Sequence, residues 1–256
     1  MYSEWRSGNV GGESETIIGN WLKKRGGRDS VVIATKVAKL STRRGLSAKN
    51  LQAACEDSLS RLQTDYIDLY YAHEDDPQTP LEETLGAFDS LIKSGKVRYI
   101  AASNFTAERL QESLEVSRKN GFAAYVAAQD QFNLLERDYE RTLQPTLVEN
   151  SLSQLPYFGL ARGFLTGKYR PGKSVDSMRA GGMGSYQNER GWALLSKMDD
   201  LAEKYQTTVS AIALAWLRAQ PSVAAPIASA RTLEQLKEIM PVVELSTEEL
   251  QTLTNS

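Results

Sequence analysis

The sequence predicts an α/β fold built on a parallel sheet, closed as a barrel rather than left open. Three observations carry this. Short β-rich runs alternate with longer helical patterns along the whole chain. At 256 residues the length suits a single α/β barrel with a large core. The glycine-rich phosphate turn G-x-G-x-x-G, expected after the first strand of an open doubly wound sheet, does not occur.

Val31–Val37 reads as a strand by its β-branched content, and Leu46–Leu62 as a helix with Leu51, Ala54, Cys55, Leu59 and Leu62 on one stripe. The next strand, Tyr66–Ala72, is apolar and β-forming, then breaks into His73-Glu74-Asp75-Asp76. Thr79-Pro80-Leu81-Glu82 reads as a helix start with threonine as N-cap, proline at the first position and a capping box. Leu81, Leu85, Phe88, Leu91 and Ile92 follow at helical spacing, and Gly95 ends the helix. Val97–Ala102 and Tyr125–Gln129 are strands, separated by a helix capped by Thr106. Asp138–Glu149 reads as a helix and Leu155–Leu160 as a short strand opened by proline.

The stretch from Gly163 to Arg190 has no clean period and is long for a plain connection, which predicts a functional loop. Helices follow over Gly191–Tyr205 and Thr208–Gln220, then a last strand over Ala224–Ala228. Thr232 caps one further helix, and Ser246 opens the final one by the capping-box pattern. No linker or low-complexity run divides the chain, so one domain over residues 1–256 is expected. Six strands are visible, and a barrel of this kind needs eight.

A net charge of -2 with 24% charged residues gives no field for nucleic acid or an acidic membrane. No apolar run reaches the roughly 18 residues of a membrane span, and the amino terminus lacks a signal-peptide pattern. A cytoplasmic location is the expectation. Cys55 is the single cysteine, so no intramolecular disulfide forms, and its place beside Ala53 and Ala54 predicts a core thiol. His73 is the single histidine. A solitary histidine at a strand end is structural more often than catalytic, although the carboxyl ends of barrel strands carry the chemistry.

Several motifs in series change that balance. Val32-Ile33-Ala34-Thr35-Lys36, Tyr70-Tyr71-Ala72-His73, and Gly95–Ile100 followed by Ala102-Ser103-Asn104-Phe105 come first. Gln129 with Phe132–Arg137, and Pro156–Leu160 with Gly163–Tyr169, follow in order. Together they resemble the aldo-keto reductase superfamily, and the Asn-Leu-Leu-Glu-Arg and Phe-Leu-Thr-Gly-Lys-Tyr forms are closer to its bacterial, potassium-channel β-subunit-like branch. The resemblance implies a (β/α)8 barrel that binds NADPH without a Rossmann turn. It also implies that the family's strand 1, helix 1 and strand 2 lie ahead of Met1, a truncation of about 45 residues. Activity would then be impaired to the extent that an aspartate expected upstream of Tyr2 is missing.

The family's catalytic tyrosine, lysine and histidine match Tyr2, Lys36 and His73. A phenol is a weak acid unless a nearby ammonium stabilises its anion, which is the part implied for Lys36 beside Tyr2. His73 would hydrogen-bond the carbonyl oxygen of the substrate. For the cofactor, the resemblance implies Ser103, Asn104 and Gln129 at the nicotinamide carboxamide and Tyr157 stacked on its ring. It implies Leu160, Gly163 and Lys168 along the pyrophosphate, and Ser229, Arg231, Gln235 and Glu238 at the adenosine end, where Arg231 suits a 2′-phosphate. The expected activity is NADPH-dependent reduction of small aldehydes or ketones. An NADPH-binding protein without turnover, such as a redox-sensing interaction subunit or an inactive fragment, is the alternative. No metal is expected.

Overall fold

Strand formation begins directly after the β-branched run Val31-Val32-Ile33. The computed structural model describes residues 3–4, 6–172 and 184–256, in two compact units, Met1–Ala128 and Gln129–Ser256. Tyr2 and residues 173–183 of the expected functional loop lie outside the described residues.

In the first unit, helix α1 (Glu13–Arg25) carries Glu13 and Glu15 in its first turn and Lys23, Lys24 and Arg25 in its last, as the helix dipole favours. Strand β1 (Ala34–Val37) leads into a two-stranded hairpin, β2 (Lys39–Leu40) and β3 (Arg43–Arg44). Helix α2 (Ala48–Leu62) is capped by Ser47, whose side chain accepts from the Asn50 N–H. Strand β4 (Ile67–Ala72), helix α3 (Leu81–Lys93), strand β5 (Val97–Ser103) and helix α4 (Ala107–Asn120) complete the alternation, with β6 (Tyr125–Gln129) crossing into the second unit. The strand order in the first unit is β1-β4-β5-β6, parallel from β1 to β5. Among the described residues no strand pairs with the outer side of β1.

Strand β4 is the centre of this sheet. Ile67, Tyr70, Tyr71 and Ala72 are fully buried, the pattern of a parallel strand covered on both faces. Tyr70 packs edge-on against Phe88 of α3, Phe88 against Tyr125, and Tyr125 against Phe105, with ring centroids 5.7–6.2 Å apart. Cys55 of α2 is buried in the same unit, as expected, and burial pushes its thiol up to about 12.

Asp68 braces the starts of three strands. Its carboxylate accepts from the Ile33 N–H (2.9 Å), Arg28 (2.7 Å) and Arg98 (2.9 Å). Both guanidiniums also lie over the Tyr66 ring, 4.0 and 3.9 Å from its centroid. Burial alone would raise the Asp68 pKa, but the Ile33 N–H and the two arginines outweigh it and hold the carboxyl below the ordinary 3.8.

The second unit contains helices α5 (Tyr139–Thr142) and α6 (Gln144–Glu149), strand β7 (Ser153–Gln154) and a 3-10 helix over Ala161–Thr166. Helices α7 (Glu189–Lys204), α8 (Val209–Arg218), α9 (Leu233–Ile239) and α10 (Thr247–Thr254) follow. Helix α8 is buried from Ser210 to Leu217. Its Trp216 meets Phe132 at 5.3 Å and donates from Nε1 to Thr254 of α10 (3.0 Å). Ser246 and Glu249 form the predicted capping box of α10.

Four local expectations are corrected. Thr79 does not cap α3; its hydroxyl donates to Asp76 (2.7 Å), and Pro80 takes the N-cap position with no side-chain bond. The helix expected over Asp138–Glu149 is two short ones that meet at Leu143, because Pro145 in the first turn of α6 has no N–H to continue the ladder. The run at Leu155–Leu160 is not a strand: regular pairing stops at Gln154, and beyond it only Tyr157 makes an isolated bridge, to Gln131. At Ala224–Ala228 the chain is not a regular strand: a bridge joins Gln154 and Val223, and the Ala224 and Ile227 N–H groups donate to the carbonyls of Gln154 and Pro156 (2.9 Å each) without forming a continuous ladder.

Replacing Asp68 with alanine leaves Arg28 and Arg98 facing each other without their shared anion. The expected loss is about 3 kcal/mol, read from the urea midpoint of unfolding. In the wild-type protein this contribution is fully present above the unfolded carboxyl's value near 3.8 and declines as pH falls through the depressed folded value.

Candidate active site at the carboxyl ends of the strands

Register places the candidate residues. Lys36 lies opposite Tyr71, which lies opposite Ala101; Val37, Ala72 and Ala102 form the next row. Side chains alternate along each strand with a period of two, so Lys36, Tyr71, His73, Ala101 and Ser103 all belong to one face. The His73 N–H continues the ladder by donating to the Val37 carbonyl (3.0 Å). Lys36 is 3% exposed, donates from Nζ to Ser103 Oγ (3.4 Å) and sits 5.0 Å from the Tyr71 ring centroid.

The acidic run after His73 is tied down on three sides. Glu74 pairs with Lys39 of β2 (3.0 Å). Asp75 accepts from Arg109 of α4 at 3.0 Å with each carboxylate oxygen. Asp76 accepts from the Leu46 N–H (2.8 Å), from Thr79 and from the Gln78 N–H (3.1 Å). Gly45, at φ +87°, leaves room for that carboxylate, since a Cβ there would meet Asp76 Oδ2 at 2.7 Å.

His73 is half-buried, and its pKa falls to about 3 because of burial first, then the positive charges of Lys36 and Lys39. The imidazole is therefore neutral at any ordinary pH, with one N–H to give and one nitrogen to accept. This differs from a histidine poised to exchange protons near neutrality. As pH falls below 6.5 the unfolded chain takes up a proton that the folded imidazole refuses, so this group's contribution to stability declines from there toward pH 3.

Ser103 is fully buried and Asn104 exposed, at the end of β5. Asn104 adopts a left-handed backbone, φ 58°, a conformation asparagine tolerates better than most residues. Its Nδ2 donates both hydrogens, to the His73 carbonyl (2.9 Å) and to Ser103 Oγ (3.0 Å). Ser103 Oγ thus accepts from both Lys36 and Asn104. The Oδ1 of the same amide is a hydrogen-bond acceptor.

Glu15 is a site-supporting residue that the sequence did not single out. It is buried, accepts from Thr35, the neighbour of Lys36 (2.5 Å), and from Arg61 of α2 (2.7 Å). Ala38, two residues beyond Lys36, holds φ 98°, a conformation that favours glycine. No periodicity marks such residues. The one available signal for Glu15 was a carboxylate at a helix start on a face turned inward.

In the second unit, Gln129 is buried at the end of β6, and the Tyr157 N–H donates to the next carbonyl, that of Asp130 (3.1 Å). Tyr157 is therefore beside Gln129 along neighbouring segments, with its ring edge-on to Phe158 (5.2 Å). Leu160 and Gly163 lie in a tight loop in which Phe158, Ala161, Arg162 and Gly163 have φ of 55°, 45°, 56° and 105°. Lys168 is exposed, and its Nζ would lie 3.8 Å from a Cβ at Gly163. Ser229 and Arg231 are exposed before α9, and Glu238 is exposed on it. Gln235 is engaged locally: its side-chain oxygen accepts from the Arg231 N–H (2.9 Å) and its own N–H donates to Thr232 (3.3 Å). Among the described residues no cluster of histidine, cysteine and carboxylates could hold a metal, and no helix is long and apolar enough to cross a membrane.

Comparison with protein families gives a match over residues 7–256 to the aldo/keto reductase family. The chain belongs to that family. An uncharacterised oxidoreductase of Bacillus subtilis, YrpG, is 36% identical over 255 residues, covering 93% of this chain and 75% of the relative. A potassium-channel β-subunit-like protein of Schizosaccharomyces pombe is 33% identical over 247 residues, covering 91% of this chain and 72% of its own length. Among solved structures, a glycerol dehydrogenase from Gluconobacter oxydans superposes with a TM-score of 0.81 at 28% identity, covering 95% of this chain and 76% of that one. The fold is thus of the aldo-keto reductase type, α/β on a parallel sheet. As a member of this family the chain is placed among oxidoreductases.

An aldo-keto reductase with one histidine allows a direct check of the site's electrostatics. Replacing Lys36 with methionine removes a positive charge from beside His73, so the imidazole pKa rises toward 6.5. An NMR titration of the ring signal, which has no other histidine to overlap it, reads the change.

Proposed function

We propose that the chain is an NADPH-dependent reductase of aldehydes or ketones. The observation that supports this most is the grouping of Lys36, His73, Ser103 and Asn104 at adjacent strand ends, with the imidazole held neutral. NADPH, when bound, supplies the hydride that adds to the carbonyl carbon. The side chains do the rest.

Neutral His73 donates its N–H to the carbonyl oxygen, which polarises the bond and orients the substrate. Tyr2 delivers the proton that converts the developing alkoxide to an alcohol, and the Lys36 ammonium makes the phenol a stronger acid by favouring its anion. Ser103 and Asn104 would hold the nicotinamide carboxamide and so orient the cofactor. In the second unit the same reading assigns Gln129 to the carboxamide and Tyr157 to stacking. Leu160, Gly163 and Lys168 serve the pyrophosphate, for which the left-handed run at 161–163 permits close backbone approach. Ser229, Arg231, Gln235 and Glu238 would serve the adenosine end, where the Arg231 guanidinium suits a 2′-phosphate. The substrate class is a small carbonyl compound, and the protein acts in the cytoplasm.

The test is oxidation of NADPH by a generic aldehyde, followed as loss of reduced-nicotinamide absorbance alongside a fluorescence measurement of NADPH binding. Binding with turnover supports the proposal. Binding without turnover assigns the chain to the non-catalytic members of the fold, and absence of binding overturns the cofactor assignment. Lys36→Met and His73→Ala are each expected to lower kcat by about 100-fold or more. Arg231→Ala is expected to weaken NADPH roughly tenfold while leaving NADH nearly unchanged, the loss of one charge-assisted contact.

A further inference from the structure

The Asn104 side chain has a second partner that a cofactor contact does not explain. Its Nδ2 donates to the main-chain carbonyl of His73, 31 residues away in sequence and on the neighbouring strand end (2.9 Å). The N–H of the same residue is held from the other side by the Val37 carbonyl of β1 (3.0 Å). His73 is thus suspended between two strands by its own backbone, one bond to each. Its side chain stands where β4 leaves the ladder, and the first anchors further along are Glu74 to Lys39 and Asp75 to Arg109. Removing the Asn104 bond takes away one contact to the β5 side and leaves the bond to β1 in place.

We infer that Asn104 is a positioning residue for His73, and that it couples occupancy of the carboxamide site to the placement of the imidazole. The coupling follows from the geometry of one amide group. Its nitrogen grips His73 and Ser103, and its oxygen is the atom of the same group able to accept from a carboxamide. The amide is planar and rigid, so a ligand that engages the oxygen fixes the plane and with it both hydrogen-bond directions. Asn104 makes these bonds from a left-handed backbone, φ 58°. By reciprocity, whatever fixes His73 strengthens the carboxamide site by the same factor.

The cofactor half of this inference rests on the proposed NADPH function; the positioning half does not. Both can be read from the ring signal of isotope-labelled histidine, since His73 is the one histidine in the chain. Asn104→Gly keeps the left-handed backbone and removes the amide; Asn104→Asp keeps size and the same backbone preference but has no N–H to donate. In both variants, without cofactor, the His73 ring signal is expected to move or broaden relative to wild type while the circular dichroism is unchanged. A wild-type signal in either folded variant overturns the inference. In wild type, NADP+ shifts the ring signal, and in Asn104→Gly at saturating NADP+ it leaves the ring spread over the positions of the free variant. At saturating NADPH, Asn104→Gly is expected to lose at least tenfold in kcat. A rise in KM for NADPH with kcat restored at saturation would show a cofactor contact alone and overturn the coupling. Should wild type bind no NADPH, the proposed function fails, and the cofactor-free ring signal still decides whether Asn104 positions His73.

Discussion

The parallel hydrogen bonding of β4 to its two neighbours is the constraint on which the site depends. Lys36, His73 and Ser103 come from three strands, and they share a face because Lys36, Tyr71 and Ala101 lie in one row. A slip of one residue in either pairing would turn a member of the set to the opposite face. Two features hold the row. Strand β4 is buried on both faces, so any slip would expose or bury the wrong side chains. At the other end of the strands, Asp68 ties Ile33, Arg28 and Arg98 together, which sets the phase of three segments at their starts.

Charge is then distributed so that the histidine stays neutral. Three carboxylates directly follow His73 in sequence, and left free beside the ring they would favour its protonated form. Instead Glu74 is turned to Lys39, Asp75 to Arg109, and Asp76 to backbone N–H groups and Thr79. Lys36 and Lys39 act on the imidazole in the same direction as burial. The acidic run therefore fixes the loop without setting the ring's charge.

Elements with local signatures were legible in the sequence. Thr106, Thr232 and Ser246 sit at helix starts, and Tyr66–Ala72 was an evident buried strand ending at a titratable group. Errors came where a local signal had a stronger competitor. Thr79 has the right neighbours for a cap, but Asp76 lies close enough to take its hydroxyl. Ala224–Ala228 is apolar enough for a strand, yet it meets the 154–156 segment through only two spaced backbone bonds, from the Ala224 and Ile227 N–H groups, and builds no continuous ladder. The site residues themselves were named from motif resemblance, and what the chain alone could not show is how they are wired. The Asn104 bond to His73 spans two strands, and the Glu15 carboxylate reaches Thr35 and Arg61 across three elements. Contacts of that separation leave no period or spacing to read.

Cys55 has a practical consequence. It is wholly buried on α2, and its thiol is held near 12, so almost none of it is thiolate at neutral pH. Maleimides and other alkylating reagents attack the thiolate and need access to it. The native chain therefore behaves toward them as though it had no cysteine. A single thiol placed on an exposed position would carry a fluorophore or spin label on an otherwise unaltered background, with no need to replace a packed core residue first.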